Sequence, residues 1–219
     1  MKLEHYNFGH NKLILFFNGL AMDFRPLKRF TLENADLLHV FHYTDLKQKE
    51  RLRTIMGYYR EIYMIGFSLG AFFASRLALH PENLAGSMMI NGVEDNFFSG
   101  LNKLNITRFM QDFHKQRLNF FYKTSAGKYA MDFSQNKPDR SAADVCKEIN
   151  FLYSLKDIPS SHLFQNAIVS LNDQILSPDF QIASHQKNRI PFHAIHDEPH
   201  FIFPAWSSFK EILSMPVHI

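Results

Sequence analysis

The chain has 219 residues, of which 46% are hydrophobic and 21% charged, and its formal net charge is +3. This length fits one globular domain with a substantial core, and the composition is that of an ordinary globular protein. The mild charge, without a dense Lys or Arg run, argues against nucleic acid as a partner. The amino terminus is too polar for a secretory signal, the apolar runs are too short to cross a bilayer, and the lone Cys146 excludes an internal disulfide framework. We therefore expect a cytoplasmic protein with neither nucleic acid nor a membrane as its partner.

Short apolar runs alternate with helix-like segments along the chain, a rhythm typical of a mainly parallel α/β sheet flanked by helices. The predicted strands are Lys12–Phe17, Leu37–Tyr43, Glu61–Gly66, Leu84–Asn91, Asn166–Leu171 and Ile190–His196. The predicted helical segments are a turn around Leu27, Leu46–Met56, Leu69–His80, Pro178–Gln186 and Pro204–Leu213. Phenylalanine is unusually frequent, at 23 residues, which indicates a bulky core and an apolar cleft.

Residues 60–70 form a strand-like run that ends in the pattern G-x-S-x-G, with Gly66, Ser68 and Gly70 at the fixed positions. A serine on a tight turn between a strand and a helix has strained backbone angles, so the residues two positions away must be nearly free of side chains. A helix-like segment follows and is closed by Pro81. The pattern predicts Ser68 as a catalytic nucleophile in an α/β-hydrolase fold. The alternative is a glycine-rich turn whose serine only caps the helix.

The alternation of strands and helices breaks between residues 96 and 162, where the sequence is helix-like and lacks strand signals. We predict one α/β-hydrolase domain over residues 1–219, with a helical lid inserted at 96–162 over the carboxyl edge of the sheet, where ligands bind. The segment 97–165 holds ten Lys and Arg against six Asp and Glu, a surplus of four positive charges, which leaves −1 for the rest of the chain. Positive charge is therefore concentrated where a substrate would enter.

A serine hydroxyl needs a base to take its proton, and the base needs a carboxylate to orient it. In this fold the acid follows the serine and precedes the histidine along the chain. The strand that begins at Asn166 delivers Asp173 to the carboxyl edge of the sheet, so Asp173 is the predicted orienting acid. Two alternatives stay open: Asp173 only caps a helix, or the acid is Asp95, which follows the strand ending at Asn91.

The predicted general base is His200, because it lies on the loop after the last strand, where the base belongs. His193 and His196 lie within that strand at an odd separation, which places them on opposite faces of the sheet. A metal site made of these three histidines is therefore disfavoured, and no pattern such as H-E-x-x-H accompanies them. We expect neither a metal nor a cofactor.

Attack by serine also requires two backbone N–H groups aimed at the negative charge that develops on the substrate oxygen. Leu69, the residue after the nucleophile, is predicted to supply one of them at the amino terminus of a helix. The other is predicted from the loop after the first core strand, where Gly19 permits the turn and Leu20 presents its amide. An ordinary Asn-Gly turn is the alternative for this segment.

Several segments agree at once with a single family, and they occur in the order Phe16–Asp23, Gly66–Gly70, Asn91–Gly92, Ser170–Pro178 and Glu198–Phe203. In these segments the chain resembles the BioG-type pimeloyl-[acyl-carrier protein] methyl ester esterases, which are compact α/β-hydrolases of biotin synthesis. The resemblance covers nearly the whole chain, although the lid matches only loosely. It implies that Ser68 is the nucleophile, His200 the base and Asp173 the orienting acid. The chain departs from the family at Leu20, where relatives usually carry a large aromatic residue, so the wall of the acyl pocket is expected to differ.

The resemblance also implies the substrate, which is the methyl ester of a pimeloyl group on an acyl-carrier protein. Such carriers are strongly acidic, so a basic rim on the lid would steer one onto the cleft, and Arg117 and Lys123 are the predicted contact residues. A serine thioesterase or a general short-chain esterase of the same fold is the first alternative. A non-catalytic binding protein on a hydrolase scaffold is the second, and an intact Ser, Asp and His in the proper order argues against it. The sequence does not indicate an oligomeric state.

Overall fold

The computed structural model describes residues 1–79, 81–101 and 115–216. Its strands are β1 (Lys2–Tyr6), β2 (Lys12–Phe17), β3 (Asp36–Phe41), β4 (Glu61–Phe67), β5 (Leu84–Ile90), β6 (Asn166–Ser170) and β7 (Phe192–Ile195). They form a seven-stranded sheet in the order β1-β3-β2-β4-β5-β6-β7. β1 runs antiparallel to β3, and every other neighbouring pair is parallel. The predicted α/β class with a mainly parallel sheet is confirmed.

Helices connect most of the strands and fill the segment between β5 and β6. Among the described residues they are α1 (Lys49–Met56), α2 (Leu69–Arg76), α3 (Phe97–Gly100), α4 (Lys115–Ala126), α5 (Ala130–Gln135), α6 (Ala142–Ser154), α7 (Pro178–Asn188) and α8 (Phe209–Leu213). Short 3-10 turns occur at Arg25–Leu27, Gly127–Tyr129 and Phe203–Ala205. Within the part of the chain described, none of the helices has the length and hydropathy needed to cross a bilayer.

All six predicted strands are present, and their observed ends differ from the predicted ones by at most two residues. β1 was not predicted because it is an edge strand whose side chains are only partly buried, so it lacks an apolar run. The prediction that His196 lies within the last strand is wrong, because β7 ends at Ile195 and the chain turns there. The predicted final helix is also shorter than expected and is preceded by the 3-10 turn at Phe203–Ala205. His80, the last residue of another predicted helix, lies outside the described residues.

The core lies on both faces of the central strands, as is usual where helices pack on both sides of a parallel sheet. β3 is buried along its whole length, and β2 is buried from Leu13 onwards. Aromatic rings fill much of the space between sheet and helices, in agreement with the phenylalanine-rich composition. The fully buried phenylalanines include Phe16, Phe17, Phe67, Phe72, Phe73, Phe97, Phe201, Phe203 and Phe209.

The segment between β5 and β6, residues 96–162, is named the helical insertion below. Its described part contains α3, α4, α5 and α6, and the only β pairing found there is an isolated bridge between Leu101 and Leu176. Helix α6 begins where the Ser141 hydroxyl accepts a hydrogen bond from the Asp144 N–H at 3.1 Å. The predicted boundaries of the insertion and its role as a lid stay predictions, since residues 102–114 lie outside the described part.

The start of α2 packs directly against the end of β2, and glycine is required at this contact. A Cβ atom on Gly70 would overlap the backbone carbonyl oxygens of Phe17 and Asn18. Neither atom belongs to a flexible side chain, so a larger residue would force the two backbones apart. This close approach brings the loop after β2 beside the turn that carries Ser68.

We predict that Gly70→Ala lowers the free energy of unfolding by about 1–3 kcal/mol, because the added methyl group overpacks a contact between two backbones. Thermal and urea unfolding would measure the change. Gly86→Ala is the matched control, since its added Cβ would meet the Tyr63 ring at an ordinary 3.5 Å. Equal stability of the two variants would contradict the close contact described for Gly70.

Candidate active site

Ser68 occupies the turn between β4 and α2 with φ 53° and ψ −127°, a conformation that residues other than glycine rarely adopt. Its N–H donates to the Ile90 carbonyl at the end of β5, at 2.9 Å. A Cβ atom on Gly92 would lie 2.9 Å from the Ser68 carbonyl oxygen, so the chain after β5 passes close beneath the turn. These neighbours hold the serine in its strained conformation at the carboxyl edge of the sheet.

The structure brings Ser68 together with Asp173 and His200, both of which lie more than a hundred residues after it in the sequence. His200 Nε2 lies 2.9 Å from the Ser68 hydroxyl oxygen, and His200 Nδ1 lies 2.7 Å from Asp173 Oδ2. All three residues are buried, with exposed fractions of 4%, 1% and 5% in the same order. The geometry is that of a serine whose proton can pass to an imidazole oriented by a carboxylate.

Asp173 is fixed by hydrogen bonds from its own loop and from α7. Its Oδ1 accepts from the N–H groups of Ile175 and Leu176 at 2.8 and 3.0 Å. Its Oδ2 accepts from Gln181 Nε2 at 3.1 Å as well as from His200. These donors stabilise the negative charge and leave the carboxylate one orientation toward the imidazole.

The alternative acid, Asp95, takes a different partner. It lies 3.6 Å from the guanidinium of Arg76, which is buried against the Phe72 ring. The geometry therefore favours Asp173 over Asp95 as the partner of His200. Across the described residues, no group of three or more His, Cys, Asp or Glu side chains is placed to hold a metal ion.

Two backbone N–H groups are the predicted donors to the substrate oxyanion. Among the residues that the structure describes, the amides of Leu69 and Leu20 make no hydrogen bond. Leu69 is the first residue of α2, where N–H groups have no partner within the helix. Leu20 belongs to the segment Asn18–Met22 after β2, named the β2 loop below. An added Cβ on Gly19 of this loop would lie 3.5 Å from the Ser68 Cβ, so the β2 loop borders the serine.

Asn91, at the end of β5, is a site residue that the sequence analysis did not identify. It is fully buried, and its side-chain amide donates to the His200 carbonyl at 2.7 Å and to the Ser170 hydroxyl at 2.8 Å. Its Oδ1 accepts from the Ser170 N–H at 2.7 Å. Asn91 thereby joins β6 to the loop that carries His200. The signal in the sequence was a polar residue directly after a buried strand.

His39 on β3 is a second residue that the sequence analysis missed. Its Nε2 lies 3.0 Å from Asn18 Nδ2, and its Nδ1 lies 3.3 Å from Glu4 Oε2. Because Asn18 Oδ1 already accepts from the Gly19 N–H, the side-chain nitrogen of Asn18 faces His39 as a donor. Burial lowers the pKa of His39, so the ring is neutral and Nε2 can accept. The hydrogen bonds that run from Glu4 through His39 to Asn18 fix the beginning of the β2 loop.

The helical insertion contacts the site on two sides. Near His200, the Phe201 N–H donates to the Ser125 carbonyl at 2.8 Å, and the Phe201 and Phe133 rings pack edge to face. At the β2 loop, side chains from α4 and α6 make hydrogen bonds with the backbone, among them Glu148. The predicted carrier-contact residues both lie on α4, where Lys123 is exposed and Arg117 is half-buried.

Several known protein structures superpose on this chain over most of its length. The crystal structure of BioG from Haemophilus influenzae superposes with a TM-score of 0.84 at 22% identity, over 98% of this chain and 100% of that one. An esterase from Exiguobacterium antarcticum gives 0.63 at 15% identity, over 92% and 88% of the two chains. A bromoperoxidase from Bacillus anthracis gives 0.60 at 15% identity, over 91% and 88%. These likenesses show the α/β-hydrolase fold.

No curated protein sequence matches the chain. The family described as "Pimeloyl-ACP methyl esterase BioG" matches it over residues 1–212, which is nearly its whole length. The chain therefore belongs to the BioG family of pimeloyl-ACP methyl esterases and is a carboxylic-ester hydrolase.

Proposed function

We propose that this protein hydrolyses the methyl ester of pimeloyl-acyl-carrier protein in biotin synthesis, with Ser68 as nucleophile, His200 as base and Asp173 as orienting acid. The observation that carries the mechanism is the continuous chain of short contacts from Ser68 through His200 to Asp173. The family description carries the substrate.

In the first step, the Ser68 hydroxyl oxygen attacks the ester carbonyl carbon while His200 Nε2 takes the hydroxyl proton. The N–H groups of Leu20 and Leu69 stabilise the resulting oxyanion, since neither amide has another partner among the described residues. The C–O bond to the methoxy group then breaks, and His200 returns its proton so that methanol leaves. Asp173 stays ionised and stabilises the imidazolium that forms transiently.

In the second step, water hydrolyses the acyl-enzyme. His200 takes a proton from the water as its oxygen attacks the acyl carbonyl carbon. Collapse of the second tetrahedral intermediate breaks the bond to the Ser68 oxygen, which takes back the proton. The products are a regenerated Ser68 hydroxyl and the carboxylic acid of the pimeloyl group, which releases its proton to solvent and becomes the carboxylate. Each of the three side chains thus returns to the state in which it started.

A thioesterase or a short-chain esterase would use the same three residues, so the catalytic geometry does not separate these activities from the proposed one. These activities can be separated by a comparison of turnover for methyl pimeloyl-carrier protein, a pimeloyl thioester and short free esters with one enzyme preparation. A non-catalytic binding protein would not react with a fluorophosphonate, because that reagent requires an activated serine.

We predict that Ser68→Ala and His200→Ala each lower turnover by several orders of magnitude, about 10⁶-fold for residues that act as a unit. Turnover is measured as methanol release from methyl pimeloyl-carrier protein. Labelling by a fluorophosphonate should disappear in Ser68→Ala. Labelling that survives this substitution would refute Ser68 as the nucleophile.

Asp173→Asn is expected to cost less, about 10⁴-fold or below, because it disturbs the orientation and charge stabilisation of His200 and not the proton acceptor itself. The same methanol assay measures it. Asp95→Asn is the control, since Asp95 faces Arg76 and should leave the rate within a few-fold of the parent. If the two variants exchanged these outcomes, Asp95 would be the acid.

The carrier protein is proposed to dock on the outer surface of the helical insertion. The segment 97–165 has a surplus of four positive charges, although Lys128 and Arg140 are already paired with Glu198 and Glu148. Lys123 is exposed on α4, and one turn earlier Phe120 exposes 64% of its surface. A cation beside an exposed aromatic ring suits an acidic partner that also offers an apolar contact.

Turnover of the carrier-bound ester is expected to fall as salt concentration rises, while turnover of a small free ester changes little. Charge reversal at Lys123, alone or with Arg117, should raise KM for the carrier substrate only. Arg60→Glu is the matched control, because Arg60 is exposed and directly precedes β4, at the edge of the sheet opposite Ser68. An equal response of both substrates to salt and to Lys123→Glu would exclude docking on this surface.

A further inference from the structure

The backbone of the β2 loop is held by an unusual number of side chains. At its beginning, the Tyr43 hydroxyl donates to the Asn18 carbonyl at 2.6 Å, and the Gly19 N–H donates to Asn18 Oδ1 at 2.8 Å. Within the loop, the Met22 N–H donates to the Gly19 carbonyl at 3.3 Å. The Gly19 N–H, the Gly19 carbonyl and the Met22 N–H are thus all hydrogen-bonded. The Leu20 N–H between them has no partner among the described residues.

In the second half of the loop, three further backbone groups are held by side chains of the helical insertion. The Ala21 N–H donates to Glu148 Oε2 at 3.4 Å, and the Ala21 carbonyl accepts from the Tyr122 hydroxyl at 2.7 Å. The Met22 carbonyl accepts from the Arg140 guanidinium at 3.0 Å. Tyr122 lies on α4 and Glu148 on α6, so two helices of the insertion fix the residues directly after Leu20.

Glu148 is the centre of this arrangement. Its side chain has no exposed surface, and it accepts from the Arg140 guanidinium at 2.7 Å and from the Tyr43 N–H at 3.0 Å. It therefore fixes Ala21 directly and Asn18 through Tyr43, at opposite ends of the loop. Burial raises the pKa of Glu148, and the Arg140 charge opposes that rise.

A purely structural ion pair is the simplest alternative. Buried ion pairs usually add little net stability compared with apolar side chains of similar volume, because desolvation of both charges offsets their attraction. On α6, Glu148 lies among the buried apolar residues Val145, Ile149 and Leu152. An apolar residue in its place would make the apolar stripe of the helix continuous. The carboxylate instead accepts from two backbone N–H groups outside the insertion, and one of these belongs to the β2 loop.

We infer that Glu148 is a positioning residue for the reaction, which holds the Leu20 amide in the place where the substrate oxyanion forms. This inference rests on the proposed function, in which Leu20 and Leu69 supply the two oxyanion donors. It makes α6 a part of the catalytic apparatus, because displacement of this helix would release the β2 loop.

The test uses two variants of the full chain, Glu148→Gln and Tyr122→Phe. Glu148→Gln keeps the shape of the side chain but replaces one acceptor oxygen by a donor and removes the partner of Arg140. Tyr122→Phe removes only the hydroxyl that reaches Ala21, so it serves if Glu148→Gln folds poorly. The control is Leu52→Ala, which opens a cavity beneath α1, outside the helical insertion, without removing a hydrogen bond to the loop.

The first readouts are kcat and KM for a p-nitrophenyl ester, with kcat expressed per active site titrated with a fluorophosphonate. The other readout is the inhibition constant of a trifluoromethyl ketone. This ketone adds the serine oxygen at its carbonyl carbon and so forms an oxyanion in the same place as the substrate. We expect kcat to fall about 10- to 100-fold in Glu148→Gln and several-fold in Tyr122→Phe, with KM within about 3-fold. The inhibition constant should rise in parallel, whereas Leu52→Ala should keep both values per titrated site.

Two results would overturn the inference: kcat per site within about twofold of the parent in both variants, or an equal loss in Leu52→Ala. Failure of the proposed mechanism gives a different result, since the parent protein would then not be labelled by the fluorophosphonate at Ser68. Failure of the proposed substrate alone would show in the methanol assay and leave these readouts unchanged.

Discussion

The close packing of α2 against the end of β2 is the contact on which the site depends. Gly70 allows the first turn of α2 to touch the carbonyl groups of Phe17 and Asn18, where any side chain would overlap them. This contact sets the β2 loop beside the strained turn at Ser68. In the proposed mechanism, the Leu69 amide serves as an oxyanion donor from the start of a helix and the Leu20 amide from the loop. These two segments are distant in sequence, and this approach brings them side by side.

Burial strengthens the hydrogen bonds between the polar groups of the site. Ser68, His200 and Asp173 are almost completely buried, and hydrogen bonds between charged or dipolar groups are stronger in such surroundings than in water. The same burial penalises any polar group without a partner. Asn91 finds such partners by donating to the His200 carbonyl and accepting from the Ser170 N–H, and the Gln181 side-chain nitrogen donates to the Asp173 carboxylate. Each contact also limits the orientations available to the residue that it serves.

The sequence predicted the parts of the site that depend on local order along the chain. The turn at Ser68 joins a strand and a helix that are consecutive, so its pattern and its glycines are visible within eleven residues. Asp173 and His200 follow late strands, and the general order of acid and base in the fold led to their prediction; the structure places His200 between Ser68 and Asp173. The ends of strands were predicted to within two residues because their apolar runs end where the chain reaches the sheet edge.

The contacts that the sequence could not predict are long-range and polar. Glu148 lies 127 residues from Ala21, and His39 lies 35 residues from Glu4. Neither belongs to a motif with a fixed spacing, and each looks like an ordinary polar residue until the fold supplies its partners. A weak signal existed for Glu148, since it interrupts an apolar stripe at helical spacing on α6. A charged residue in such a stripe must find buried partners, but the sequence does not say which ones.

In the proposed function, the helical insertion links the choice of substrate to the rate of the reaction. Its α4 exposes Lys123 and Phe120 to solvent and sends the Tyr122 hydroxyl inward to the β2 loop. Neighbouring residues of one helix therefore face the proposed carrier-binding surface and the proposed oxyanion site. A carrier protein that shifted α4 on binding would disturb the hydrogen bond from Tyr122 to the Ala21 carbonyl, next to Leu20. The carrier should therefore bind a surface that keeps α4 in its present position. This requirement favours a preformed docking surface over a lid that closes on the substrate, because α4 and α6 must be in place before the oxyanion forms.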